Sequence, residues 1–451
     1  MADPLVVIVG AGPAGVRAAE TLALAGLQPI LIDEAERPGG QIYRQPPAGA
    51  VRPGIYGLEI RKAAGIHGVL AGLDAVDYRP RTLVWNVFQD RLDLLTIEGH
   101  GEQRFDRLIL ATGAMDRALP FPGWTLPGVF TLGGAQIALK SQGVSIGRRV
   151  ALVGAGPLLP LVAHQYVGAG AQVVAVLDVT PFAPKLLQLL GLAAEPGTLA
   201  KGLWYTARNR MQGLAAAYGV RAIRAEGKRQ VEALIYKDAM GVEHRIACDA
   251  IGASCGLRSE TQLADLAGCA FVFDQVGRQW VPQRTGQGRS SVPAVYLAGD
   301  GAGIGGADAA ELQGRRTALA VLEDLGRPVD LAEAARLDRR LARQARFRKA
   351  LENAYPFPGH LLEDVAVDEM VCRCEGITAG ALREAARDKD AAEMNRLKAF
   401  TRIGMGRCQG RVCGHAAAEL LARASGVGIE GVGRLRGQPP VKPIPVLGGV
   451  P

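Results

Sequence analysis

The apolar run Leu5-Val-Val-Ile-Val9 passes directly into Gly10-Ala-Gly12-Pro13-Ala14-Gly15, and this junction constrains the fold more than any other part of the chain. An apolar run that stops at such a turn reads as a buried parallel strand, here leading into a helix predicted through Leu24. A second strand, Pro29 to Ile32, ends in Asp33, with Glu34 next to it. Strand, glycine turn, helix, strand and terminal acid make a βαβ dinucleotide-binding unit. Gly10 permits the tight turn, Gly12 admits a pyrophosphate to the backbone, and Gly15 lets helix and strand pack closely. The helix N-terminus favours phosphate charge, and Asp33 can accept ribose hydroxyls. Such a unit reads an ADP moiety, so by itself it leaves FAD, NAD and ATP open.

A second nucleotide-like unit begins at Arg149-Val-Ala-Leu-Val-Gly154-Ala-Gly156 and closes with Val173 to Leu177 and Asp178. Leu159 stands where the third glycine would be, and no arginine cluster follows Asp178 to hold a 2′-phosphate. This unit therefore reads as retained scaffold without a working NAD site.

The cysteines carry a different message. Four of the seven fall in one C-terminal stretch, as Cys372-Arg373-Cys374 and Cys408-Gln-Gly-Arg-Val-Cys413. No secretion signal precedes Leu5, so this clustering points to metal ligation rather than disulfides. Spacing alone leaves structural zinc and an iron–sulfur cluster both open. Arg373, Lys398, Arg402, Arg407 and Arg411 are predicted to surround the thiolates, with Cys413 at a helix N-terminus that also favours them. Cys248, Cys255 and Cys269 stand apart, read as small core residues, and offer no disulfide-reductase pair.

At 451 residues, 48% hydrophobic, the chain calls for two or three domains. The formal charge of +8 is spread among acids, with no basic block interleaved with aromatics, which argues against nucleic acid. No apolar stretch of about 18 residues is uninterrupted, so no transmembrane segment is expected. A cytoplasmic location follows, with the periphery of the inner membrane as the variant a basic surface allows. Asp324 to Lys349 reads as an Arg-rich helical region leading away from the nucleotide-binding units, and Asn353 to His360 as a linker. The tail from Gly426, with Gly-Gln-Pro-Pro-Val-Lys-Pro-Ile-Pro, reads as extended: either free, or a strap for a partner protein.

Three further segments resemble the thioredoxin-reductase-like flavoproteins. Pro38-Gly39-Gly40-Gln41 resembles the stretch beside their flavin, and Leu108 to Ala114, with Thr112 and Gly113, resembles their linking strand and turn. Val295-Tyr-Leu-Ala-Gly299-Asp300-Gly301 resembles their second FAD motif, which implies that Asp300 binds the ribityl chain and the glycines approach the phosphates. Cys-Arg-Cys-Glu with Thr-Arg-Ile-Gly-Met-Gly-Arg-Cys-Gln-Gly-Arg-Val-Cys is similar to the bacterioferritin-associated-ferredoxin-like (BFD-like) [2Fe-2S] domain. The whole arrangement resembles the alpha-type subunits of multi-subunit FAD-dependent amino-acid and opine dehydrogenases, the group of opine oxidase, hydrogen cyanide synthase and D-hydroxyproline dehydrogenase.

The resemblance implies an α/β fold: a two-dinucleotide-binding-domain flavoprotein of the thioredoxin-reductase-like kind, plus a small helical [2Fe-2S] domain. The expected division is an FAD-binding domain over 1–118 and 256–327, an NAD-binding-like domain over 119–255 and a helical linker over 328–365. The cluster domain would span 366–425 and the Pro-rich tail 426–451. FAD would be held by Gly10, Gly12, Pro13, Ala14, Gly15, Asp33, Glu34, Gly40, Gln41, Thr112, Gly113, Gly299 and Asp300, and the cluster by Cys372, Cys374, Cys408 and Cys413. FMN would lie at a subunit interface. The implied partners are an FAD-containing, amino-acid-oxidase-like beta subunit, a small ferredoxin-like protein, and a quinone or other electron acceptor. The chain would pass electrons from the partner's flavin towards that acceptor. No catalytic acid–base group is assigned, because the six histidines fall in no triad or metal spacing. A stand-alone NAD(P)H-dependent FAD/[2Fe-2S] reductase is the alternative, and a non-enzymatic protein holding zinc or capturing iron is a third.

Overall fold

The computed structural model describes residues 3–47 and 55–445. Its architecture repeats itself. One five-stranded parallel sheet has the order Val295–Leu297, Arg107–Leu110, Val6–Val9, Ile30–Ile32, Asp77–Arg79. The other runs Val129–Thr131, Ala250–Ser254, Arg149–Gly154, Gln172–Asp178, Ala216–Tyr218, also parallel. In each unit a three-stranded antiparallel meander, within 83–104 or 222–247, precedes the strand that pairs with the far side of the central one. Two short strands, Ala114–Asp116 and Leu257–Ser259, pair antiparallel and carry the chain between the units.

Apart from Arg149 at one end, the central strands are buried along their length, as parallel strands covered on both faces must be. Leu31 and Ile8 are sealed in one core, and Val150 and Leu152 in another. Helix Pro13–Leu24 packs its buried face, Val16, Ala18, Ala19 and Leu22, beside helix Ala307–Asp324. Small residues allow the close approach: a Cβ at Gly314 would strike the Ala14 backbone.

The Arg-rich region does not lead away. It breaks after Asp324, restarts at an Asp330 cap as helix Leu331–Ala354, and folds back across the second unit. Phe347, Ala350 and Ala354 close a small core with Leu192. The sequence expectation failed because the arginines mark the exposed face, while few apolar residues signal the buried one. Beyond Tyr355, a hairpin of Met370–Cys372 with Ile377–Thr378 and helices Ala379–Asp388, Met394–Thr401 and Cys413–Ser425 form the third body. Its core of Leu382, Leu397, Leu420 and Leu421 extends to Leu119 and Cys255 of the reductase-like frame. The two bodies are locked by the Trp124 indole donating to the Met370 carbonyl at 2.7 Å and by a two-pronged Arg278–Glu419 pair at 2.7 and 2.8 Å. Glu419 is 1% exposed while Arg278 is half-buried, so the guanidinium supplies the counter-charge a buried carboxylate needs.

Candidate cofactor sites

The first unit opens a cavity of about 330 Å³ at the carboxyl ends of its strands. Gly10, Gly12, Pro13, Ala14, Asp33, Glu34, Gly40, Gln41, Thr112, Gly113, Gly299 and Asp300 all line it. Gly15 does not. It sits behind the turn, where a Cβ would collide with the Gly10 carbonyl oxygen, so its task is packing. Gly12 caps helix Pro13–Leu24 with no side chain over its end, leaving amides free for an anion. Both Asp33 oxygens are held by backbone, accepting from Ala11 N at 2.5 Å and Ala35 N at 2.6 Å. Each oxygen retains a lone pair for a ribose hydroxyl. Burial raises the Asp33 pKa against these two donors. Asp300 accepts from Gly305 N and Gly306 N at 2.7 and 2.9 Å, which fixes its carboxylate at the start of helix Ala307–Asp324. A glycine-walled cavity with one free helix N-terminus and an acid at the second strand fits an ADP-containing cofactor.

Sequence reasoning missed other residues on the same walls. Asp116 and Gln136 approach from the far end, and Arg411, Val441 and Lys442 come from the third body and the tail. Asp116 accepts from Gly133 N at 2.9 Å, and burial raises its pKa. No local motif announces these residues, since they lie on separate elements.

The second unit's crevice is filled by the protein itself. Asp178 accepts from Lys185 Nζ at 2.6 Å and from Thr180 N at 2.8 Å. Lys185 lies over the rings of Tyr218 and Tyr355 at 4.7 and 4.9 Å. Arg348, Leu351, Glu352 and Tyr355 from the long helix and its end, with Phe357, face the Gly154–Gly156 turn and leave about 100 Å³. Leu159 is 1% exposed and belongs to the core.

The four cysteines come together. Cys413 heads its helix as expected, and its thiol lies against those of Cys372 and Cys408, while Cys374 lies against Cys408. Donation from Cys413 favours the thiolates of its neighbours, bringing Cys372 down to about 6 and Cys408 down to about 5. Cys413 itself is pushed up by those two partners and Cys374 is pushed up by burial. Backbone groups of Cys374, Glu375 and Gly404 bond to the Cys372 sulfur, and those of Gly410 and Val412 to Cys408. The thiols run as one row, Cys372–Cys413–Cys408–Cys374, with backbone donors to Cys372 and Cys408 that favour the thiolates an iron–sulfur cluster requires. Of the five predicted cations, Arg402 is taken by Glu375 at 2.8 Å, Lys398 by Gln438 at 3.0 Å, and Arg411 by Glu260 at 2.6 Å. Arg373 lies over the Trp124 ring. A cation the sequence did not suggest, Arg258 of the frame, lies in the field of Cys413 and Cys408, with its Nε unpartnered and shut off from solvent.

Residues 4–314 match the family "pyridine nucleotide-disulphide oxidoreductase", and residues 370–423 match the "BFD-like [2Fe-2S] binding domain". The chain belongs to the pyridine nucleotide-disulphide oxidoreductase family. This oxidoreductase is 36% identical to the A subunit of opine oxidase from Rhizobium meliloti over 97% of its own length and 86% of that protein's. It is 34% identical to the HcnB subunit of hydrogen cyanide synthase from Pseudomonas protegens, over 97% of its own length and 96% of that protein's. L-proline dehydrogenase from P. horikoshii shares its fold with a TM-score of 0.72 at 20% identity, covering 98% of this chain and 78% of that one. Thioredoxin reductase from T. acidophilum covers 71% of the oxidoreductase, with 98% of its own chain, at TM-score 0.52 and 20% identity. The cofactors of the two matched families are FAD and a [2Fe-2S] cluster, and both candidate sites have the donors for them.

Proposed function

We propose that this chain is the electron-carrying subunit of a hetero-oligomeric dehydrogenase that oxidises the C–N bond of an amino acid or opine. The observation that carries the reading is a pairing within one chain. An open flavin-type cavity shares a wall with the cysteine loop through Arg411, while the second unit's crevice is narrowed to about 100 Å³ by Tyr355 and Glu352, and the acid ending its second strand, Asp178, is taken by Lys185. The likeness to the opine oxidase A subunit and to HcnB supports a partner that holds the substrate. When bound, the flavin would exchange electron pairs and the cluster single electrons, towards a quinone or other acceptor. The chain's own residues bind and insulate. Cys372, Cys374, Cys408 and Cys413 would ligate iron, and Gly12 with the helix behind it would hold the pyrophosphate. Asp33 would hold the ribose and Asp300 the ribityl chain, within the domain limits the sequence implies. FMN would sit at the boundary with the beta subunit. No helix is long and apolar enough to cross a membrane among the described residues, and a peripheral attachment is compatible with the basic surface.

The purified chain should be yellow-brown and oxidise no amino acid until an amino-acid-oxidase-like partner is co-expressed. Full substrate turnover by the pure chain would refute the subunit reading, and rapid anaerobic bleaching of its flavin by NADH would favour the self-sufficient reductase. Cys408→Ser should lose the cluster's visible bands and its electron paramagnetic resonance signal upon reduction, while zinc in place of iron would overturn the cluster assignment.

A further inference from the structure

The tail returns to the chain's own first unit. It leaves helix Cys413–Ser425 at Gly426 and buries Val432 completely in the cluster body. Arg434 then reaches Asp265 through two bonds of 2.6 and 2.8 Å and lies 3.7 Å over the Phe271 ring. Gly437 N donates to the same carboxylate at 2.5 Å. This latch delivers Val441 to the first unit, where its amide donates to the Trp85 carbonyl at 3.1 Å and its side chain, 2% exposed, joins the core beside Val84. Arg411, from inside the cysteine loop, bonds to the Val441 carbonyl at 2.5 Å and to Glu260 at 2.6 Å. Lys442 pairs with Glu34, the neighbour of Asp33. Arg411, Val441 and Lys442 thus wall the same cavity end as Asp33, Glu34 and Val84. The acid at the end of the second strand addresses the ribose of the ADP half, so this is the adenosine end and not the flavin end.

We propose that Arg411 and the Val441–Lys442 segment form a strap, in cis, over the adenosine half of FAD, so that flavin retention depends on the docked cluster body and its tail. The strap rests on the reading of this cavity as the FAD site. An apolar side chain of the Pro-rich extended segment, sealed into the core beside Val84, closes one end of the cavity. Its backbone is bonded to the loop that carries Cys408 and Cys413, so the two cofactor sites share one piece of protein.

The test uses the full chain, stripped of flavin and retitrated, against a truncation lacking residues from Pro439 onward and against Val441→Ser and Lys442→Glu. Dissociation constants are measured separately for FAD and for FMN, which lacks the adenosine half, with cluster content followed by visible circular dichroism. The truncation and Val441→Ser should weaken FAD about tenfold, the loss of one buried aliphatic contact, and leave FMN unchanged. Lys442→Glu should weaken FAD about threefold. Unchanged FAD affinity in both the truncation and Val441→Ser overturns the strap. Equal weakening of FAD and FMN also overturns it, because that signals general loosening. A full-length chain that binds no FAD would instead sink the flavin reading of the cavity, a result separable from either.

Discussion

The two nucleotide-type units share a five-stranded parallel sheet and a meander, yet one holds an open cavity and the other a crevice narrowed by the protein's own side chains. Their turns differ little in sequence: Gly10-Ala-Gly12-Pro-Ala-Gly15 against Gly154-Ala-Gly156-Pro-Leu-Leu159. Their acids differ in company. Among the described residues Asp33 accepts hydrogen bonds from backbone amides, whereas Asp178 has acquired a lysine and an aromatic roof. A glycine turn is thus necessary for such a site without being sufficient. What the rest of the chain lays across it decides whether a cofactor can enter.

The largest expected difference lies at the glycines. Gly15→Val should lose essentially all bound FAD, because its side chain must displace the Gly10 carbonyl from the turn. Gly156→Ala meets no atom within 4 Å, so its cost is the backbone strain of a φ of +115°, about 1–2 kcal/mol. It should leave the flavin-to-protein absorbance ratio unchanged. Flavin loss from Gly156→Ala would break the comparison, since it would give the second turn a role in the first site.

Next comes the filling of the second crevice. Lys185→Met leaves the Asp178 carboxylate, 7% exposed, without its cation, and breaking a buried pair in this way costs about 3 kcal/mol. Urea unfolding should register that loss. A double variant, Lys185→Ala with Tyr355→Ala, should still fail to let NADH reduce the flavin, because Leu159 and the long helix remain. Reduction by NADH in that variant would sharpen the comparison differently, by showing that these two side chains alone close an otherwise competent site.

The first unit was legible from sequence because its signals are contiguous: strand, turn, helix and acid lie within residues 5–33. The cysteine centre was legible for the same reason. Spacing within two short loops carries it, and the helix that begins at Cys413 falls where the sequence placed it. The long helix and the tail were not legible. Arg336, Arg339, Arg340, Arg343 and Arg346 advertise the solvent face of helix Leu331–Ala354, while the partner for Phe347 is Leu192 of a distant segment. The tail's second apolar anchor, Val441, stands amid prolines, and its niche exists only once the meander beside Trp85 has folded. Over 426–445 the tail is therefore not free: Arg434 and Val441 anchor it on the chain itself.

The smallest effect sits on the seam between the units. Lys140, in the last turn of helix Leu132–Gln142 of the second unit, is 2% exposed and donates to the Ile42 carbonyl of the first at 2.6 Å. Burial lowers its pKa from the usual 10.5 to about 7. Between those values the unfolded chain binds a proton that the folded chain does not, so stability rises with pH across this window and flattens below pH 7. Lys140→Met removes the titrating group while keeping the buried stem, and the carbonyl of Ile42 then loses a donor. Wild type should gain about 1 kcal/mol between pH 7 and pH 8 relative to Lys140→Met, read as a difference in urea midpoints at the two pH values. A parallel pH dependence in the two proteins would mean that Lys140 keeps its proton throughout, and that the seam holds a charged rather than a neutral lysine against the backbone of the flavin-side stretch.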